Sequence, residues 1–142
     1  MTALTLDAAR TIIQAALAKG RELDLKPLSV AVLDAGGHLK AFEREDGASL
    51  LRPQVAHGKA YGALSLGMGS RAIMNRAESQ AYFIGAVNTL AGGALVPVPG
   101  GVLIRSGGEI VGAVGITGDT SDNDETAAIA GIEAAGMEAD AG

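Results

Sequence analysis

The sequence predicts an α+β fold: a central antiparallel sheet of about five strands with helices on both faces. Three observations lead there. Two apolar segments each double back at a glycine pair, residues 29–42 at Gly36-Gly37 and residues 101–116 at Gly107-Gly108. Glycine supplies the positive φ that a short hairpin turn demands, and strands joined so closely must run antiparallel. Second, a strand such as Val30-Ala31-Val32-Leu33 is apolar on both faces, so both sides of the sheet need a cover. Third, the stretch between the hairpins and both flanks of the chain read as helix, which supplies that cover.

The elements follow in order. Residues 6–24 are expected as a helix, with Ile13, Ala16, Leu17 and Gly20 on one stripe. Thr5 stands as its N-cap, Asp7 favours the positive end of its dipole, and Pro27 marks its exit. Strands are expected at 29–34 and 38–45, with the charged run Glu43-Arg44-Glu45-Asp46-Gly47 closing the hairpin in solvent. Pro53 suits the first turn of a helix that reaches Leu66 and ends near Gly67. A further helix is expected over 70–90, broken by Gly92-Gly93. Residues 95–98 read as a short strand, kept to an edge by Pro97, and strands at 101–105 and 109–117 form the second hairpin. Ser121 opens the last helix, paired with Asp124 in a capping-box-like arrangement, and that helix reaches about residue 135 before a frayed tail.

Composition bounds the function. The 142 residues suit one domain, expected over 1–142. With no cysteine, a disulfide framework, a thiolate metal site and a cysteine nucleophile are excluded, and a reducing cytoplasm is the expected setting. A net charge of −5 argues against nucleic acid as a partner, because phosphate contact needs a basic face. No apolar run is long enough to span a membrane, and the start Met1–Asp7 lacks the basic and apolar regions of a signal peptide. The 21 glycines, the many alanines and the absence of tryptophan limit what one subunit buries, so a homo-oligomer is expected.

Several segments together carry a family resemblance. Val30-Ala31-Val32-Leu33-Asp34-Ala35-Gly36-Gly37-His38-Leu39, His57-Gly58-Lys59-Ala60-Tyr61, Val96-Pro97-Val98-Pro99-Gly100-Gly101-Val102 and Gly115-Ile116-Thr117-Gly118 followed by Asp124-Glu125 resemble the haem-degrading, GlcG/HbpS-like family in order and spacing. The resemblance implies a profilin-like fold, often in larger oligomers, and a small-ligand-binding protein of the haem or tetrapyrrole type, with slow haem degradation or sensing in some members. Some haem-binding relatives carry an iron-ligating His on the first helix. Here that helix has Lys19 and Arg21 but no His, so haem would be ligated by His38, His57, a Met or a Tyr.

The resemblance puts most weight on His57 as the catalytic or proton-carrying residue, with Arg52, Lys59 and Tyr61 as ligand-binding neighbours. His57 and Tyr61, spaced i, i+4, share a helix face, and Lys59 points elsewhere. An imidazole there can hold a carboxylate or move a proton; it can equally be a surface His on an amphipathic helix. His38 reads as a hairpin residue or a ligand. Gly67-Met68-Gly69-Ser70-Arg71 is either a helix–helix corner or a carboxylate clamp built on Arg71. Gly100 and Gly101 either bring backbone against a flat ligand or form a plain strand bend. Asp124 and Glu125, beside Asp119 and Asp122, are either carboxylates of a site or acids complementing a helix dipole. No His-x-x-x-His or His-Glu-x-x-His spacing occurs, so no metal site is expected from motif.

Three functions fit these residues: a haem- or tetrapyrrole-binding protein; an enzyme (isomerase, lyase or hydrolase) on a small anionic catabolic metabolite, with His57 moving the proton and Arg52 or Arg71 holding the carboxylate; and an oligomeric assembly protein without a ligand.

Overall fold

The computed structural model describes residues 3–142. Met1 and Thr2, which open the segment read for a signal peptide, lie outside the described residues. The elements are α1 (Leu6–Glu22), β1 (Ser29–Asp34), β2 (Leu39–Arg44), α2 (Arg52–Leu66), α3 (Ser70–Ser79), α4 (Ala81–Leu90), β3 (Gly101–Ser106), β4 (Glu109–Thr117), α5 (Ser121–Ala134) and β5 (Glu138–Asp140). The strands form one antiparallel sheet in the order β2-β1-β4-β3-β5, so the two hairpins lie side by side with β1 on β4. The expected α+β layering, with helices on both faces, is what the chain adopts.

Strand alternation divides the core. Val30 and Val32 of β1, Val114 and Ile116 of β4 and Val102 and Ile104 of β3 point to one face, where Ile12, Ile13 and Ala16 of α1 and Ala127, Ala128 and Ile132 of α5 cover them. The opposite face presents Leu33, Ala113 and Leu103 to Ala60 and Ala63 of α2. On that face the register aligns Ala31 with Gly115 and Gly115 with Gly101, a row of small residues across three strands. A Cβ on Gly115 would stand 1.9 Å from Ala56 O, and one on Gly101 would stand 2.2 Å from Lys59 O. The backbone of α2 therefore rests directly on the sheet, which only glycine permits at those two positions.

Local signals explain the ends. Thr5 Oγ1 accepts from Ala8 N and caps α1. Asp34 Oδ1 accepts from Gly36 N and His38 N and so ties the first turn. α2 stops at Gly67, which has φ 68°.

Four expectations are corrected. The helix expected over 70–90 breaks at Gln80 (φ −141°, ψ 61°) into α3 and α4. Residues 95–98 form no strand: Val96 N donates to Gly58 O of α2, so the segment is tied to a helix instead of a strand. The tail read as frayed pairs with β3 as β5. The last helix is capped by Thr120, whose Oγ1 accepts from Asn123 N, while Asp124 turns inward.

Candidate functional site

His57 and Tyr61 lie one turn apart on the outer side of α2. Their rings stack, with centroids 5.5 Å apart and planes 16° from parallel. His57, half-buried, lines a recess of about 400 Å³ together with Pro53, Gln54 and Gly58 of α2 and with Gly92, Gly93, Ala94 and Val96 of the loop after α4. Gly58 brings the two walls together, since a Cβ there would stand 2.6 Å from Val96 Cγ2. Gly92 and Gly93 have positive φ, and nothing lies within 4 Å of where their Cβ atoms would be. One wall is thus bare backbone. Sequence reasoning took this glycine pair only as a helix breaker; a doubled glycine just past a helix that faces a candidate residue was the available signal.

Lys59 turns the opposite way from its neighbour His57. Its side chain is 2% exposed, and Nζ donates to Ile116 O at 2.9 Å and to Asp124 Oδ2 at 3.1 Å. Asp124, 1% exposed, accepts the Asp119 N–H on its other oxygen at 3.0 Å. Burial lowers the Lys59 pKa against the opposing pull of Asp124, and burial raises that of Asp124 against the pull of Lys59. The pair joins α2 on one face of the sheet to α5 on the other, around the end of β4.

The glycines expected to face a flat ligand are filled from within. A Cβ on Gly100 (φ 118°) would stand 2.6 Å from Ile116 O and 2.9 Å from Lys59 Nζ, and the space over Gly101 belongs to Lys59 O and Ser70 Oγ. Ser70 Oγ accepts the buried Gly101 N–H at 2.7 Å. The close approach that these glycines allow is helix to sheet.

Arg71 is held by α5. Its Nε donates to Glu125 Oε1 at 2.9 Å, and its Nη2 donates to Glu125 and to Asp122. Those carboxylates hold its pKa above the usual guanidinium range. The guanidinium of Arg52 donates to Thr117 Oγ1 at 2.6 Å and to Ser49 Oγ at 3.1 Å. The structure thus brings together His57 with Tyr61, Lys59 with Asp124 below Gly100 and Gly101, and Arg71 with Glu125. It does not bring Arg52, Lys59 or Arg71 to the His57 recess. His38 stands on the first hairpin, largely exposed, with Nδ1 3.3 Å from Asp34 Oδ1. Hydrogen bonds from the turn, with His38 N the largest contributor, lower the Asp34 pKa. No group of three or more His, Asp or Glu residues able to hold a metal ion occurs among the described residues, and no described helix is long and apolar enough to cross a membrane.

A five-stranded antiparallel sheet clasped by helices, with a glycine-walled recess beside a histidine, defines an α+β protein with a preformed small-molecule-sized cavity. A family model described as haem degrading protein HbpS-like matches residues 4–133, and the chain belongs to that family. An uncharacterized 15.0 kDa protein in the dhaT-dhaS intergenic region of Citrobacter freundii is 31% identical over 121 residues, 85% of this chain and 84% of that protein. A double mutant of Streptomyces reticuli HbpS is similar in structure, with a TM-score of 0.80 and 28% identity over 94% of this chain and 87% of that one. The protein in a PduOC:Heme complex has the same fold at a TM-score of 0.86, with 23% identity over 96% of this chain and 97% of that chain.

Proposed function

We propose that the chain binds a flat tetrapyrrole-type small molecule, haem above all, in the recess beside His57. The observation that carries this reading is the recess itself: about 400 Å³, walled on one side by the bare backbone of Gly92-Gly93 and on the other by a half-buried imidazole. Small-molecule sites span roughly 300–1,000 Å³ and combine an apolar lining with few polar groups. A flat ring can lie against glycine backbone where a side chain would hold it off. His57 is the lining residue whose neutral ring nitrogen can ligate iron, and the Tyr61 ring stacked on it fixes its plane. The residues present therefore fit the group that the relatives' names carry. Bound haem would supply a redox-active iron; the chain's own part is to orient the ring and to offer the imidazole.

The enzyme reading needs a cation beside His57 to hold an anionic substrate. Arg52 and Arg71 are both held by other partners, so the geometry favours binding. Self-association is proposed alongside. Leu50 (88% exposed), Leu51 (64%), Tyr82 (75%) and Leu90 (87%) leave apolar surface that a second copy would cover.

The test is a haem titration followed at the Soret band. A saturable shift at micromolar haem is expected, with the dissociation constant raised tenfold or more in His57→Ala. A flat titration in the native protein, or an unchanged one in the variant, overturns the assignment.

A further inference from the structure

The start of α2 gathers positive charge that the chain itself leaves unanswered. Arg52 opens this 15-residue helix, where the dipole is already positive, and the first turn holds no acid and no side-chain cap. The guanidinium donates through Nε to Ser49 Oγ and through Nη1 to Thr117 Oγ1. Both partners are neutral, and Arg52 forms no ion pair among the described residues. The acids at the start of α5 are engaged elsewhere: Asp124 holds Lys59, and Asp119 accepts from the Lys26 N–H and the Asn123 amide. Burial lowers the Lys59 pKa, and the Arg52 charge adds to that lowering, so the two cations act on each other.

The sheet beneath that turn holds a second, independent sign of a ligand. Ser29 Oγ is fully buried and has no hydrogen-bond partner, the one such side-chain atom among the described residues. Register sets Ser29 opposite Thr117, and strand alternation turns both, like Ala31 and Gly115, toward the face that α2 covers. Buried Thr117 gives Arg52 an oxygen lone pair, which leaves its hydroxyl proton for another acceptor. We propose that a compact carboxylate binds at this corner, with the Arg52 guanidinium as its charge partner and the Ser29 and Thr117 hydroxyls as its inner donors. An arginine carries five N–H donors; those not engaged by Ser49 and Thr117 include a two-pronged edge that matches a carboxylate. Half-buried Arg52 reaches from exposed Ser49 to buried Thr117, so the anion has an approach from solvent. Arg52 does not line the His57 recess, and the assignment stands whatever that recess binds.

The test is an acetate titration of the full chain at constant ionic strength, with acetate replacing chloride, followed in amide proton–nitrogen correlation spectra. Saturable shifts are expected at the Ser29, Arg52 and Thr117 amides, with half-saturation below about 10 mM. Arg52→Gln should weaken acetate about tenfold or more. Arg52→Lys, which keeps the charge without the fork, is the second variant and should lose affinity as well. Ser29→Ala should weaken acetate about threefold or more, yet leave the urea midpoint in chloride unchanged or raised, because the hydroxyl it removes has no partner in the folded chain. Shifts that never saturate, an equal response to chloride, or unchanged affinity in any of the three variants overturns the proposal. So does a lowered urea midpoint for Ser29→Ala in chloride, since that hydroxyl would then serve the fold through an ordered water. Haem titration of the native protein keeps the two readings apart: acetate binding without a Soret shift sinks only the recess, and a Soret shift without acetate binding sinks only this site.

Discussion

Removing the Lys59 ammonium should cost more stability than any other single change on α2 that leaves its backbone in place. Lys59→Met keeps the length of the side chain and strands the Asp124 carboxylate, 1% exposed, with only the Asp119 N–H as partner. Breaking a buried pair from one side costs about 3–5 kcal/mol, because the remaining charge keeps its desolvation penalty and loses its compensation. Against a total stability of about 5–15 kcal/mol, that is roughly a fifth or more of what holds the protein folded. The midpoint of thermal unfolding should fall by about 10–15 °C. The sign of the pH dependence follows from the stranded acid. Burial already raises the Asp124 pKa, and without Lys59 nothing cationic opposes that rise at the carboxylate. The folded variant then binds a proton more tightly than the unfolded chain, so its stability falls as pH rises through the carboxylate range, and the gap to the native protein narrows in acid. The double variant Lys59→Met/Asp124→Leu removes both charges and should be more stable than Lys59→Met alone. Urea unfolding by circular dichroism at fixed protein concentration measures all three proteins. A Lys59→Met loss under about 1 kcal/mol, or losses that simply add in the double variant, would refute the view that a buried pair clamps the two layers.

Three further outcomes follow from single groups. Gly115→Ala should fail to fold or lose about 3 kcal/mol or more, because the new Cβ meets Ala56 O at 1.9 Å, a backbone atom that cannot step aside; soluble yield and urea midpoint report it. Ser70→Ala should lose about 1–3 kcal/mol in the same assay, since it leaves the buried Gly101 N–H without its acceptor. The Asp119 pKa is lowered from 3.8 to about 2, chiefly by the Asn123 side-chain amide and then by the Lys26 N–H. Its stabilisation is therefore complete above pH 4 and lost as pH falls through about 2, and Asp119→Asn should lower the thermal midpoint at neutral pH by an amount that vanishes in acid.

Local chemistry made the hairpins readable. Gly36-Gly37 and Gly107-Gly108 announce their turns because positive φ is a property of the residue itself, and β1 and β4 fall at the expected bounds. Thr5 was legible as a cap for the same reason. What sequence could not show was set by partners far along the chain. The break at Gln80 lies in a run with no Gly or Pro, where Arg76 Nε donates to Gln80 Oε1 and the Gln80 carbonyl accepts the first N–H groups of α4. Residues 138–140 make a strand because β3 offers an open edge. Residues 95–98 do not, because Gly58 O takes the Val96 N–H. Asp124 looks like a helix-cap acid until Lys59 is found beneath it. One trace of that burial was present: Lys59 sits on the stripe of Ala56 and Ala63, a face of small residues that suits contact with a sheet better than contact with water.

Three consecutive residues of α2 show how the sheet and the recess are joined. His57 faces outward into the recess, Gly58 lets the loop at Val96 close its rim, and Lys59 reaches inward past the end of β4 to Asp124. A helix resting on Gly101 and Gly115 has no side-chain cushion beneath it, so it can slide along the sheet only by breaking backbone contact. The ion pair fixes the remaining freedom, rotation about the helix axis, because Lys59 and His57 point to opposite sides of one turn. Turning α2 to release the ammonium would swing the imidazole out of the recess. The position of His57 against the Gly92-Gly93 wall is therefore set on the opposite face of the sheet, by a carboxylate of α5 that touches no part of the recess.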